Sequence, residues 1–223
     1  MELTHLGHSC MLVEAAGRRL LIDPGTFSDF AQVRDLDAVL VTHQHPDHAD
    51  PRRLGQLLRD NPSARLWTEP AAADTLSPDV PEVGDRAVPL ARGTAVQVGG
   101  LAVTPVGEQH AFIHDYVPRI TNLGLVVTAE GEPTVFHPGD ALDAEDPLLQ
   151  QVDVLCVPVN APWARVADTV GFVRRLAPQR VVPIHDGLLN ENGRRMYLGH
   201  IGTHGVDGGV EVLDLRDRGP VTL

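Results

Sequence analysis

The chain has 223 residues, 43% of them hydrophobic, enough apolar material for a single α/β or sandwich domain spanning 1–223. Its formal net charge is -12 and all 18 basic residues are arginines, scattered without a basic tract; this argues against a nuclease and against a nucleic-acid partner, whose phosphates need clustered cations. No run approaches the roughly 20 apolar residues of a membrane span, no basic and apolar leader opens the chain, and Cys10 and Cys156 sit in apolar runs that suit buried reduced thiols, so the expectation is a cytoplasmic protein with no membrane partner.

In chain order, apolar alternation predicts strands over 2–6, 10–14 and 19–22, with Ala15-Ala16-Gly17 as a turn. The stretch Ala38-Val39-Leu40-Val41 predicts a further strand, which runs straight into Thr42-His43-Gln44-His45-Pro46-Asp47-His48. Residues two apart in extended backbone face the same way, so His43 and His45 can hold one ion. Pro46 then turns the chain and leaves Asp47 and His48 to face a second. Neutral imidazole and carboxylate suit zinc first, and also manganese or iron. The bland alternative is a helix start with incidental histidines, because Asp50-Pro51 reads as an N-cap and first helical residue. The density of donors over 43–48, directly behind an apolar run, argues against it.

A helix is predicted from Pro51 to about Asp60, with Leu54, Leu57 and Leu58 on one face, then a strand over 65–68. Strands over 94–98 and 101–106 meet at Gly99-Gly100. Strands over 123–129 and 133–137 follow about Gly131, then a strand over 152–159, a helix over 165–177 and a strand over 180–184. Asn192-Gly193 reads as a turn, 194–200 as a helical stretch and 210–215 as a last strand. Four donors in one loop cannot complete two metal spheres, and further candidates sit just past these strands: His110, Asp140 in His137-Pro138-Gly139-Asp140, and His185. Two halves that each end in ligands predict a four-layer αββα sandwich, with the metals at the edge of the two facing sheets.

On the H-x-H-x-D-H loop at 43–48, His110, Gly139-Asp140 and Pro183-Ile184-His185, the chain resembles the metallo-β-lactamase-fold hydrolases nearly end to end. Leu6-Gly7-His8-Ser9-Cys10 and Leu21-Ile22-Asp23-Pro24 are similar to the branch around L-ascorbate-6-phosphate lactonase. The resemblance implies that His43, His45 and His110 bind one ion, that Asp47, His48 and His185 bind the other, and that Asp140 bridges them. It departs at Ala141, where the family often has threonine, so a hydroxyl next to the bridge is missing.

The expected chemistry is hydrolysis by a hydroxide shared between two divalent ions, with Asp47 both ligating and orienting the nucleophile, on a small anionic lactone, ester or phosphodiester. Asp23 is expected to orient a metal-bound imidazole from behind. His8, His114, Arg119, Asn160 and Trp163 are candidate substrate contacts, Arg119 as a fork for an anion. His5, His137, His200 and His204 are read as structural. The partner expected is a small-molecule substrate, with a homo-oligomer left open. Two other readings stand beside this one. A redox di-iron protein of the same fold would place a carboxylate at position 45 and pair with a flavin module; a non-catalytic metal-binding scaffold would have lost ligands.

Overall fold

The computed structural model describes residues 1–223. The first half contributes strands β1 (Glu2–His5), β2 (Met11–Ala15), β3 (Arg18–Ile22), β4 (Ala38–Val41), β5 (Arg65–Thr68) and β6 (Ala87–Pro89), with helices α1 (Leu54–Asp60), α2 (Pro70–Leu76) and α3 (Pro81–Arg86). The second contributes β7 (Val96–Val98), β8 (Leu101–Val106), β9 (Gly124–Ala129), β10 (Val135–His137), β11 (Val154–Pro158), β12 (Arg180–Ile184) and β13 (Glu211–Val212), with α4 (Val166–Leu176) and α5 (Glu191–His204). A last strand, β14 (Val221–Thr222), returns to pair with β1. The result is two seven-stranded sheets, ordered β14-β1-β2-β3-β4-β5-β6 and β13-β12-β11-β10-β9-β8-β7.

The layering follows from side chains alternating across each strand. Met11, Val13, Leu20, Ile22, Ala38 and Leu40 point into a central core shared with Leu125, Val127, Val154, Cys156, Val182 and Ile184 of the other sheet. Their neighbours Leu12, Leu21, Val39 and Val41 face outward onto Leu54, Leu57, Leu58 and Val83 of α1 and α3. Leu155, Val157 and Val181 likewise face outward onto Phe172, Val173 and Ile201 of α4 and α5. Each fully buried leucine or isoleucine contributes about 1.5–3 kcal/mol, so three clusters hold four layers together. The architecture is therefore the αββα sandwich expected from the sequence. Cys10 and Cys156 are free and lie in different clusters, and burial pushes the Cys156 thiol up to about 12.

Strand direction brings distant residues to one edge. β1 is antiparallel to β2 and β2 to β3, whereas β4 and β5 run parallel to β3, so β1, β3, β4 and β5 all end on the same side. In the other sheet β8, β10, β11 and β12 share one direction by the same logic. Ligand candidates that follow these strands thus meet across the sandwich edge. The two sheets are tied there by the Leu123 N–H, which donates to the Thr42 carbonyl at 3.0 Å.

Several elements differ from the sequence reading. Asn192-Gly193 is not a turn: Asn190 caps α5 by accepting from the Gly193 N–H at 2.9 Å, so the pair lies in the helix's first turn. Residues 51–53 form a turn before α1. The last predicted strand shortens to β13, and α2, α3, β6 and β14 were not predicted.

Candidate metal centre

Six imidazoles and two carboxylates meet at the sandwich edge. His43, His45, His110 and Asp140 form one group, and Asp47, His48, His185 and His8 form another; within each, the donor atoms lie within 4.8 Å of one another. Asp140 touches both groups. Its oxygens stand 3.2 Å from His110 Nε2, 3.8 Å from His43 Nε2, 3.0 Å from His48 Nε2 and 3.3 Å from His185 Nε2. The structure thus brings together all seven residues that the sequence offered as ligands.

Hydrogen bonds on the far side of the His43, His48, His110 and His185 rings fix which nitrogen faces inward. Asp23, held at φ 50° just past β3, accepts from His48 Nδ1 at 2.7 Å through Oδ2. The same oxygen accepts from the Thr42 hydroxyl at 2.8 Å, while Oδ1 accepts from the Thr42 N–H at 2.8 Å. With its proton committed to Asp23, the Thr42 hydroxyl oxygen accepts from His43 Nδ1 at 3.0 Å. His110 Nδ1 donates to the Ala111 carbonyl at 2.7 Å, and His185 Nδ1 to the Asn160 carbonyl at 2.6 Å. Nε2 of His43, His48, His110 and His185 is therefore turned to the centre, joined by Nδ1 of His45, 3.2 Å from His43 Nε2.

This donor set fits metal ions on its own evidence. His48 Nε2, His185 Nε2 and Asp140 Oδ1 are buried atoms with no hydrogen-bond partner, and both ring nitrogens face the Asp140 carboxylate, His48 at Oδ1 and His185 at Oδ2. Orphaned polar atoms of this kind are costly unless something else satisfies them, and imidazole nitrogen with carboxylate oxygen is a zinc, manganese or iron donor set. Electrostatics agree for His43 and for the two carboxylates, whereas without an ion His48 holds a proton against Asp140. Burial, reinforced by His48, holds the His43 pKa well below its ordinary value, so that ring is neutral and ready to ligate. Burial alone would raise Asp140, but His48 and His185 hold it well below the usual carboxylate range. Burial opposes protonation of His48 too, but Asp140 and Asp23 together raise its pKa. Burial likewise works against Asp47, yet the His8 hydrogen bond and His48 bring it down to about 2.

The bridge candidate owes its position to its turn. Gly139 has φ 60°, and a Cβ there would lie 2.3 Å from Asn122 Oδ1 and 2.8 Å from Thr42 Oγ1. Asn122, fully buried, accepts from the Asp140 N–H at 2.9 Å and donates to the Pro138 carbonyl at 2.9 Å. Neither Thr42 nor Asn122 stood out as functional in the sequence; the signal for Thr42 was its place directly before the H-x-H pair.

The substrate-contact candidates separate. Trp163 stands over the centre, its Nε1–H donating to Asp140 Oδ2 at 3.2 Å and its ring 5.8 and 5.9 Å from His110 and His185. His8 touches Asp47. Asn160 contributes its backbone carbonyl to His185. Arg119 is committed to the His110 carbonyl at 2.6 Å and to Asp143 at 2.9 Å, so its fork supports the loop rather than standing free. His114 is exposed and pairs with Tyr116. Of the histidines read as structural, His137 donates to the Ser9 carbonyl at 2.8 Å, His5 to the His8 carbonyl at 2.9 Å, and His200 and His204 are exposed on α5.

Comparison with known proteins matches residues 2–185 to a beta-lactamase superfamily domain. Protein Rv0786c of Mycobacterium tuberculosis is 43% identical over 90% of this chain and 91% of its own length. A UPF0173 metal-dependent hydrolase of Rubrobacter xylanophilus is 30% identical over 83% of this chain and 81% of its own. Among solved structures, the metallo hydrolase Igni18 of Ignicoccus hospitalis superposes with a TM-score of 0.73 at 19% identity, covering 100% of this chain and 97% of that one. The diiron beta-hydroxylase CmlA of Streptomyces venezuelae does so at 0.71 and 18%, covering 100% of this chain and 53% of that one.

Proposed function

The chain belongs to the beta-lactamase superfamily, and from that membership we propose that it is a binuclear metal-dependent hydrolase acting on a small anionic substrate. The observation that carries the reading is the set of orphaned buried atoms, His48 Nε2, His185 Nε2 and Asp140 Oδ1, gathered about the Asp140 carboxylate where the two donor groups meet. His43, His45 and His110 would hold one divalent ion and Asp47, His48 and His185 the other, with Asp140 between them; zinc suits the set best, and manganese or iron also fit. Such a pair supplies Lewis acidity and a nucleophile from water at neutral pH.

The residues do the rest. Asp47, a quarter exposed and firmly ionised, accepts the His8 Nε2–H at Oδ2, and its carboxylate can orient an incoming water and take its proton. Trp163 closes one side and limits water around the reacting carbonyl or phosphoryl group. A lactone or ester, the class of the lactonase branch that 6–10 and 21–24 resemble, and a phosphodiester both present an electrophile and an oxygen anion to such a site. The relative's designation as a metal-dependent hydrolase supports the reading, while the similarity to the diiron hydroxylase, at 18% identity, extends to the fold alone.

The experiment is hydrolysis of generic ester, lactone and phosphodiester substrates before and after chelation. Loss on chelation and recovery with zinc, manganese or iron is expected. Metal-loaded protein that hydrolyses none of them, or that consumes oxygen with an electron donor, contradicts the proposal.

A further inference from the structure

His8 is the one member of the donor groups that the ligand assignment leaves out. It is buried, sits at φ 52° after Gly7, and has its carbonyl pinned by His5 Nε2–H and by the His185 N–H, both at 2.9 Å. Its ring packs edge-on to Phe27 at 5.2 Å and lies 4.0 Å from the ring of His185. By position alone it could be an eighth ligand, since its nitrogen belongs to the same group as Asp47, His48 and His185.

Its hydrogen bonds say otherwise. The Gly187 N–H points at His8 Nδ1 at 3.2 Å, so that nitrogen carries a lone pair. A backbone N–H can only donate. The proton of the neutral ring is therefore on Nε2, which lies 3.1 Å from Asp47 Oδ2. A ring whose Nε2 carries a proton cannot ligate through it, and moving the proton to Nδ1 would set two donors against each other at Gly187. The close approach depends on glycine: a Cβ at 187 would lie 3.0 Å from His8 Nδ1.

We propose that His8 is a positioning residue, a fixed Nε2–H donor that holds the Asp47 carboxylate through Oδ2, the oxygen 3.6 Å from His185 Nε2, in place at the metal centre. The inference rests on the binuclear reading above, and it adds a residue that acts through Asp47 without touching metal.

The test compares His8→Gln with His8→Asn in the full chain, reconstituted with zinc and challenged with a graded series of chelator. The glutamine amide nitrogen lies where Nε2 does and can donate to Asp47, whereas asparagine is too short. Backbone preference runs the opposite way, because asparagine tolerates the left-handed conformation better than glutamine. Donor geometry and backbone strain therefore predict opposite orders. The expected result is that His8→Asn weakens one of the two ions about 10–100-fold while His8→Gln stays within about threefold of wild type. Equal weakening by both variants, or weakening by neither, overturns the inference. Nitrogen-15 NMR of the metal-free protein reads the tautomer directly: His8 protonated on Nε2 is expected, and protonation on Nδ1 overturns the inference whatever the metal content. Wild type that binds fewer than two ions contradicts the binuclear reading instead, and the tautomer then decides the inference alone.

Discussion

At the scale of single residues, the outer nitrogens of His43, His48, His110 and His185 are all spoken for, so changes one step away should be felt. Thr42→Val removes the hydroxyl that joins His43 Nδ1 to Asp23 and leaves a buried ring N–H without a partner. It should cost about 1–3 kcal/mol in thermal unfolding and weaken metal binding about 10–100-fold in a chelator titration, with Thr42→Ser close to wild type. An unchanged affinity for Thr42→Val would break the proposed chain from Asp23 to His43. The seven donors are legible in the sequence because four are packed into 43–48 and the others each follow an apolar run. Asp23 is legible for the same reason. Thr42, Asn122 and Gly187 are not, because what each does depends on a side chain delivered by a distant segment. Arg119 shows the converse: its type and place suggest an anion fork, and only the fold reveals Asp143 and the His110 carbonyl already in its grip.

At the scale of elements, the loops that carry the candidate ligands are held by backbone packing that tolerates no extra atoms. A Cβ on Gly25, in the loop after β3, would lie 1.6 Å from the Asp47 carbonyl oxygen, and backbone cannot swing aside as a flexible side chain can. Gly25→Ala should destabilise by about 1–3 kcal/mol or more and displace Asp47, seen as a lower melting temperature together with lost metal. A variant with normal stability and metal content would contradict this. Helix α5 braces the opposite loop, since Arg194 pairs with Asp186, next to His185, at 2.7 Å and with Asp214 at 2.7 Å. Arg194→Met removes the nearer guanidinium of the buried Asp186 carboxylate and leaves only Arg216, 3.6 Å away, so it should cost about 1–3 kcal/mol in denaturant unfolding; a loss within experimental error would mean the brace is idle. This helix was only partly legible, because Asn192-Gly193 mimics a turn when the Asn190 cap goes unnoticed. For α2, Glu69-Pro70 followed by alanines is a readable start, and Glu69 does cap it by accepting from the Ala71 and Ala72 N–H groups. The two-residue β14 leaves no periodicity to read and exists only because β1 offers an edge.

At the scale of the whole molecule, the histidine cluster should set how stability responds to pH once the metals are stripped. Against the opposing effect of burial, Asp140 raises His48 and His185 above the ordinary 6.5, so the stability they contribute is complete below 6.5 and is lost as pH rises through their raised values. Burial lowers His8, His43, His45 and His137, so the stability from keeping these neutral is complete above 6.5 and is lost as pH falls. Metal-free protein should therefore melt highest near the ordinary histidine pKa and lower on both sides. Metal-loaded protein should lose the alkaline decline, because the ion takes the place of the proton on His48 and His185. A melting temperature that rises steadily with pH in the metal-free form would contradict this balance. The fold class is legible because the two halves repeat strands of one direction that end in candidate ligands, so their meeting at one edge follows from topology. The most direct test of the centre itself is elemental analysis of wild type beside Asp140→Asn, which keeps the shape of the bridge and removes its charge. Two ions per chain in wild type and at most one in the variant is the predicted result; one ion or none in wild type, or an unchanged content in the variant, would contradict it.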